Sequence, residues 1–438
     1  MERVFPKPLN GQKCRVLLTT HDSLVAHYIN PSGASLLLQT LDKKNSMKLF
    51  LQTLFKCSKD QIPSEAALFE EMIEMAGEFL KLSGGLPLLI VLIGGLLSVK
   101  RKSVSVWVNL LEIFNQYERG FVFKDLITFC YDDLPGYLRS CFLYLRLFPE
   151  DTEIECNALI QLWVVEGFLK RRDSKTMVDV ARDCLEEFIM RNLIEVTKRR
   201  SNGAPKTCRI HGLLRDFAKY ESIEARFSRI SKDNHLVLVE SNRPLVVHPK
   251  SSELHGGKSS AIHFQPPKTF SLMNDIISFL EPFKFPNHVY SLICFSKNPQ
   301  FLRFDQQFPL LRVLDLEGVE NMVEVPYEIR NLILLRYLSL RGTRVKLIPS
   351  WIAKLHNLQT LDAPGSKIPI DTLKLNQLRH LFAYSFYFSG SSSSSSLPLL
   401  IDVLEHLQTL ELDIGDLEIS GLHELTNLKS PKVTSLWW

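Results

Sequence analysis

The feature that most constrains this chain is a leucine spacing that recurs through its C-terminal part. It reads Val289-x-x-Leu292-x-Cys294 in a first, weaker form. It then returns as Leu311-x-x-Leu314-x-Leu316, Leu335-x-x-Leu338-x-Leu340, Leu358-x-x-Leu361-x-Ala363, Leu378-x-x-Leu381-x-Ala383 and Leu407-x-x-Leu410-x-Leu412. Successive copies begin 20–29 residues apart, a period that belongs to stacked structural repeats. Each copy is a short strand whose alternate residues face one side. No copy can bury that side alone, so the copies must stack into a curved solenoid with a shared core. Such a solenoid is a binding surface and needs no catalytic chemistry.

Length and composition narrow the rest. A chain of 438 residues has room for about two to four domains. Its 45% hydrophobic and 23% charged content is that of a globular protein with a real core. A net charge of +4 is too small to argue for nucleic acid, and the runs Lys100-Arg101-Lys102, Lys170-Arg171-Arg172 and Lys198-Arg199-Arg200 read as solvated helix ends and turns. The eight cysteines form no CxxC pair, which indicates neither a zinc site nor a disulfide framework and favours a reducing compartment. Met1 is followed by Glu2, Arg3 and two prolines rather than an apolar leader. The apolar stretch Leu86 to Val99, with its two glycines, is too short to span a bilayer. These features predict a cytoplasmic chain with no transmembrane segment.

Along the chain, Cys14 to Thr20 reads as a buried strand ending in hydroxyl residues, followed by a loop over Asn30 to Ser35. Residues 41–125 have the periodicity of a helical bundle. Met47, Leu51, Leu54 and Phe55 share one helix face, and Ile73, Ala76, Phe79 and Leu80 another. Ser83-Gly84-Gly85-Leu86-Pro87 breaks one helix and starts the next, a place where proline forfeits no hydrogen bond. Residues 126–218 predict helices near 126–134, 136–147, 157–169 and 176–191, then strands at Leu193–Lys198 and Thr207–Ile210 joined through Asn202-Gly203. Helices followed by a hairpin wing describe a winged helix. Its last long helix carries Asp179, Asp183, Glu186 and Glu187 against Arg182, so phosphate repulsion argues against DNA in the groove-reading mode.

Residues 219–287 read as a connector or a degenerate repeat, and residues 288–438 as the repeats themselves. The run Ser391 to Ser396 reads as a loop inserted in the solenoid. No capping repeat is recognisable between Leu428 and Trp437-Trp438, which implies a truncated product. Pro326, Pro349 and Pro369 recur after the strands as turn formers. Between the leucines, Arg312, Asp315, Arg336, Tyr337, Ser339, Arg341, Arg379, His380, Phe382, Tyr384 and Glu411 make a mixed-charge, partly aromatic face suited to a protein partner. The same face can instead pack back on the winged helix, and the two uses are compatible.

With these motifs in order, the chain resembles a plant intracellular immune receptor of the nucleotide-binding, leucine-rich-repeat class, coiled-coil branch. Cys14 to Thr20 with His21 matches the family's strand ending Leu-Thr-Thr-Arg, and Gly85-Leu86-Pro87-Leu88 matches its Gly-Leu-Pro-Leu motif. The segment from Tyr131-Asp132-Asp133-Leu134-Pro135 through Cys141-Phe142-Leu143-Tyr144 to Phe148-Pro149-Glu150-Asp151 matches its winged helix, and Ile210-His211-Gly212 stands at its Met-His-Asp. The resemblance implies a multidomain α+β chain. Residues 1–40 would be the remnant of an α/β nucleotide-binding domain. After it would come the helical bundle, the winged helix and an α/β leucine-rich-repeat solenoid.

It also implies ADP or ATP as cofactor, with Pro87 against the adenine, His211 at the β-phosphate and Thr19 and Thr20 beside the γ-phosphate position. A histidine donor and strand-end hydroxyls suit phosphate oxygens. Nucleotide exchange would rotate the winged helix as a rigid body. The partner would be a pathogen effector or a guarded host protein held by the repeats, with full-length receptors as further associates. The chain departs from the pattern in four respects. It has no G-x-x-x-x-G-K-[ST] loop and no magnesium-supporting acidic strand, so no catalytic residue, no metal and no ATPase activity are expected. His21 stands for the family's arginine, and Gly212 for its acidic residue. Two readings therefore stay open: a defence-response switch holding nucleotide, or a truncated repeat scaffold or decoy that binds none. Pro87 can equally serve only to start a helix, and His211 can be an ordinary polar residue after a strand.

Overall fold

The computed structural model describes residues 19–20, 22–29, 36–56, 70–101, 103–116, 123–149, 151–172, 175–224, 229–230, 237–238, 244–247, 290–294, 308–387, 399–400, 406–413, 419–420 and 430–434. Of the predicted strand at Cys14–Thr20 only Thr19 and Thr20 fall among these; His21, the serine run and Trp437-Trp438 lie outside them. A short helix, α1 (Ser23–Ile29), precedes the helical unit. That unit comprises α2 (Lys43–Phe55), α3 (Glu70–Leu82), α4 (Pro87–Ser98) and α5 (Val104–Gln116). Asp42 caps α2 by accepting from the Asn45 N–H at 2.7 Å, an orphan donor that every helix start must satisfy. Glu70 and Glu71 open α3 and Lys81 closes it, charges that complement the helix dipole. The buried Trp107 of α5 meets Phe50 and Phe79 edge-on at 6.1 Å each, tying three helices to one aromatic centre.

The winged helix follows as α6 (Phe123–Asp132), α7 (Gly136–Tyr144), β1 (Ile154–Glu155), α8 (Cys156–Glu166), α9 (Met177–Met190), β2 (Glu195–Arg199), β3 (Pro205–Arg209) and α10 (Gly212–Glu224). Thr176 and Asp179 form a reciprocal capping box on α9. Gly203, at φ 82°, supplies the left-handed turn residue between β2 and β3. Three strands rather than two make the wing: β1 pairs antiparallel with β3 through Ile154–Cys208, giving the order β1-β3-β2. Helix α10 runs across residue 218 into the segment expected to be connector. Phe142, Trp163 and Phe188 are fully buried at the centre of this unit.

The remaining strands are β4 (Arg229–Ile230), β5 (Val237–Leu238), β6 (Pro244–Val247), β7 (Ser291–Cys294), β8 (Val313–Asp315), β9 (Tyr337–Ser339), β10 (Thr360–Pro369), β11 (His380–Tyr387), β12 (Leu399–Leu400), β13 (Thr409–Asp413), β14 (Ile419–Ser420) and β15 (Ser430–Thr434). β4 and β5 form a small antiparallel pair, and β12 and β14 a parallel one. The others make one parallel sheet in the order β6-β7-β8-β9-β10-β11-β13-β15. Its register puts Leu292, Leu314, Leu338, Leu361, Leu381 and Leu410 side by side, each buried in the solenoid core. The recurring spacing thus becomes a column of leucines.

Short 3-10 turns start after Pro326, Pro349 and Pro369 and carry the chain back on the far side. Two strands of the eight-stranded sheet lie outside the leucine spacing. β6 adds to the sheet before the weak first copy, and β15 continues it beyond Leu428. Among the described residues no helix is long and apolar enough to cross a membrane.

Candidate functional site at the junction of winged helix and repeats

The four residues that the family resemblance assigns to nucleotide all lie on the surface. Thr19 and Thr20 are exposed, and Thr20 Oγ1 accepts from the Asp22 N–H at 3.1 Å. Pro87 is exposed as the first residue of α4. His211 is exposed immediately before α10, where its Nδ1 accepts from the Leu213 N–H at 3.2 Å. That bond places the ring proton of the neutral form on Nε2, facing outward as a donor. Pro87 and His211 thus stand at two helix N-termini, where free backbone N–H groups and the helix dipole favour anions. Among the described residues no hydrogen bond or ion pair joins any of the four to another.

The densest arrangement lies elsewhere, where α8 meets the first repeats. The side chain of Glu166, the last residue of α8, accepts a 2.6 Å hydrogen bond from Ser291 Oγ at the start of β7. Ile293, Val313 and Tyr337 project from β7, β8 and β9 into the core of the winged helix rather than into that of the solenoid. One hydrophobic core therefore crosses the boundary. Burial pushes the Glu166 carboxyl up to about 7, although the Ser291 bond, nearby Tyr144 and the charge of Arg312 pull the other way. Burial likewise raises Asp315 to about 6 against the stabilising Glu317 N–H bond at 3.0 Å. Beside this contact lies a cleft of about 210 Å³ lined by Glu153, Glu155, Asp315 and Glu317 among apolar neighbours. Its charge is of the wrong sign for phosphate. Glu153 and Glu155 are engaged with Lys198 and Arg200 across the wing at 2.7 Å each.

Of the residues expected on the partner face, Asp315, Tyr337, Ser339, His380 and Phe382 are buried, the first two at the winged-helix junction. His380 bonds to the Thr409 hydroxyl at 3.1 Å, and burial with the charge of Arg379 lowers its pKa to about 4. Arg341 makes a two-pronged contact with Asp362 at 3.0 and 2.9 Å, linking neighbouring repeats. Arg312, Arg336 and Arg379 stay partly exposed, and Tyr384 is 40% exposed. The two inward columns of the strand face are therefore closed, while the residues just before the strands stay open to solvent. Glu166 and Ser291 were not singled out from sequence. The available signal was a lone carboxylate ending the apolar helix Leu159-Ile160-Gln161-Leu162-Trp163-Val164-Val165.

A family model described as a disease resistance protein winged helix domain matches residues 147–218. A second, described as a leucine-rich repeat region, matches residues 288–438. Two tomato (Solanum lycopersicum) proteins, "ToMV resistant protein Tm-2 netted virescent" and "ToMV susceptible protein tm-2", are each 29% identical over 98% of this chain and 49% of their own length. The Arabidopsis thaliana "Putative disease resistance RPP13-like protein 2" is 30% identical over 96% of this chain and 47% of its own. The chain spans about half the length of these curated relatives. Among solved structures, an internalin C2 of Listeria monocytogenes covers 35% of this chain and 66% of its own at 23% identity, with a TM-score of 0.29.

Proposed function

We infer, from the premise that this chain's homologues are plant disease resistance proteins with winged-helix and leucine-rich-repeat regions, that it acts in defence as the recognition and relay part of such a receptor. The observation that carries this reading is the shared core at β7–β9 and α8, closed by the Ser291–Glu166 bond. A partner that displaces the first repeats must also disturb α8, so binding on the solenoid reaches the winged helix through direct packing. That is a rigid-body mode of coupling. The partner class in this reading is a pathogen effector or guarded host protein met in the cytoplasm, with full-length receptors as further associates. Resistant and susceptible tomato proteins match equally well, so overall identity does not set recognition, and this reading assigns it to individual residues of the repeats. Transplanting residues 308–387 between this chain and a relative of known specificity should move the recognition with them in a leaf cell-death assay. Recognition that stays with the winged helix would sink this reading.

A second reading keeps the nucleotide. It is favoured by Pro87 and His211 at helix N-termini and by the hydroxyls of Thr19 and Thr20. The donor set suits phosphate oxygens. An ADP or ATP there would supply a polyanion to which the winged helix and the residues 19–20 segment, a proposed remnant of a nucleotide-binding domain, both attach. In this reading the chain does not hydrolyse ATP, since its sequence contains no phosphate loop. Denaturing the purified chain and chromatographing what it releases separates the readings. Stoichiometric ADP supports the switch. A folded, monodisperse sample that releases none leaves the scaffold or decoy.

A further inference from the structure

One row of the solenoid carries charge without partners. The residue after the first leucine of each copy is Tyr290, Arg312, Arg336, Gln359, Arg379 and Gln408 in turn. These positions stand directly before the strands and are stacked by a backbone ladder. The N–H of Arg312 bonds to Tyr290 O, Arg336 to Arg312 O, Gln359 to Arg336 O, Arg379 to Gln359 O and Gln408 to Arg379 O, at 2.6 to 2.8 Å. Strand spacing puts neighbours in the row roughly 4.8 Å apart along the sheet.

Among the described repeats the partly buried Arg341 grips Asp362 and Arg330 stacks over Tyr327 at 3.7 Å, whereas cations such as Arg344, Lys346 and Lys354 are exposed to water. The arginines of this row are partly buried and have no described acid bonded to them. Among the described residues Arg336 and Arg379 make no ion pair and no side-chain hydrogen bond, and Arg312 only stacks over Tyr290 at 4.8 Å. Arg379 Nε and Gln408 Oε1 are buried and unbonded. Burial and the charge of Arg312 next to it push Arg336 below the usual arginine range. Glu166 interacts with Arg312 electrostatically, but its hydrogen bond goes to Ser291. Half-buried guanidiniums set side by side without acids cost stability, and natural chains concentrate such violations at functional sites.

We propose that the row Arg312, Arg336 and Arg379, with Gln359 and Gln408 between and beside them, is a docking strip for an acidic polypeptide segment that crosses the strands in extended form. Arginine favours two-pronged bonds to carboxylates. The strip from Arg312 to Arg379 covers three strand spacings, roughly 14 Å, which an extended peptide spans in about four to five residues. Two or three acidic side chains on such a segment meet the guanidiniums, while the glutamine amides serve its backbone. This inference deepens the recognition role proposed for the repeats and rests on it.

The test uses the full chain and a fluorescein-labelled octaglutamate, with octaglutamine as the neutral control. Octaglutamate should bind, lose affinity in high salt, and weaken at least tenfold in the double variant Arg336→Gln/Arg379→Gln. The distant variant Arg330→Gln should leave binding unchanged. The double variant should melt no lower than the parent, because it removes unpaired charge. A lower melting temperature would mark the arginines as structural and overturn the strip, and so would equal binding of octaglutamine or of the double variant. Displacement of octaglutamate by equimolar pyrophosphate would reassign the row to phosphate and overturn the acidic-peptide class. If the repeat transplant moves recognition while octaglutamate fails to bind, this inference falls alone and the recognition role stands.

Discussion

On the side facing the helical unit, the winged helix shares a hydrophobic core with it, through contacts such as Phe114 with Phe129 at 4.7 Å, and that core is locked by backbone contact and ion pairs. Gly95 of α4 lies so close to Arg191 that a Cβ there would stand 2.3 Å from the Arg191 carbonyl oxygen. Asn192 donates to Val91 O and Ser98 to Met190 O, both at 3.2 Å. Asp133 takes both Lys100 and Arg191, the latter at 2.7 Å, and Arg191 also grips Glu187 at 2.9 Å. On the side facing the repeats the contact is apolar, through Ile293, Val313 and Tyr337, with Ser291–Glu166 as its polar bond. The first joint has little freedom to slide, because backbone meets backbone. The second consists of side chains and one half-buried carboxylate. A relay that must yield when something binds the repeats is better served by the second.

Breaking the first joint should have the largest effect. Asp133→Ala strands the nearly buried Arg191 with only Glu187, and should cost about 3 kcal/mol, measured by urea unfolding with hydrogen exchange on α4 and α9. A loss below roughly 0.5 kcal/mol, the level of surface substitutions, would show that packing alone holds that side. Gly95→Ala should follow at about 2 kcal/mol, since the obstacle is backbone and cannot turn aside. An unchanged melting temperature would mean that α4 can back away, and the contrast between the joints would weaken.

The smallest change sharpens the contrast instead. With its folded pKa near 7, above the ordinary 4.5, Glu166 binds its proton more readily folded than unfolded. The stability it contributes is complete below about 4.5 and is lost as pH rises through about 7. Between pH 6 and 8 this amounts to on the order of 1 kcal/mol. Hydrogen exchange of α8, corrected for intrinsic rates, should accelerate over that range. In Glu166→Gln, which keeps an acceptor for Ser291 and has no charge to lose, the acceleration should be much smaller. Equal slopes in both proteins would remove Glu166 as the pH-sensitive element.

Much of the fold was legible because its signals are forced. A parallel strand column needs a leucine at every turn, and Leu314, Leu338, Leu361, Leu381 and Leu410 supply it. The helices of the winged unit announced themselves by apolar period and, for α9, by the Thr176 cap. What was missed is short or borrowed. β1 is only Ile154–Glu155 and exists because β3 pairs with it. α10 opens with Gly212, a poor helix former, and is held by contacts that are remote in sequence, such as Arg215 Nε to Phe148 O at 2.8 Å. β6 and β15 lack the leucine spacing and join by extending a sheet already formed. The partner face was legible in outline only. Periodicity says which residues leave the core, but not that Tyr337 leaves one core to enter another. Nor does it say that Arg336 has no acid beside it, since pairing depends on neighbours a whole repeat away.

The pairing of β10 with β11 has a mechanical consequence. The two strands run together at Thr360–Ala363 and again, past an irregularity, at Lys367–Pro369 against Ser385–Tyr387. The second stretch is braced sideways by Ser366 Oγ to Val345 O at 2.8 Å and Tyr387 Oη to Ile348 O at 2.6 Å. At this point the solenoid has two webs instead of one, like a box girder among single plates, and a box resists twisting far better than a plate. Torque applied at the outer repeats will therefore pass through the girder with little loss. The second web runs on past β9, through the Leu347–Lys367 pairing and the Arg344 N–H bond to Met322 O at 2.9 Å, so the load is delivered beside Tyr337 and the winged helix.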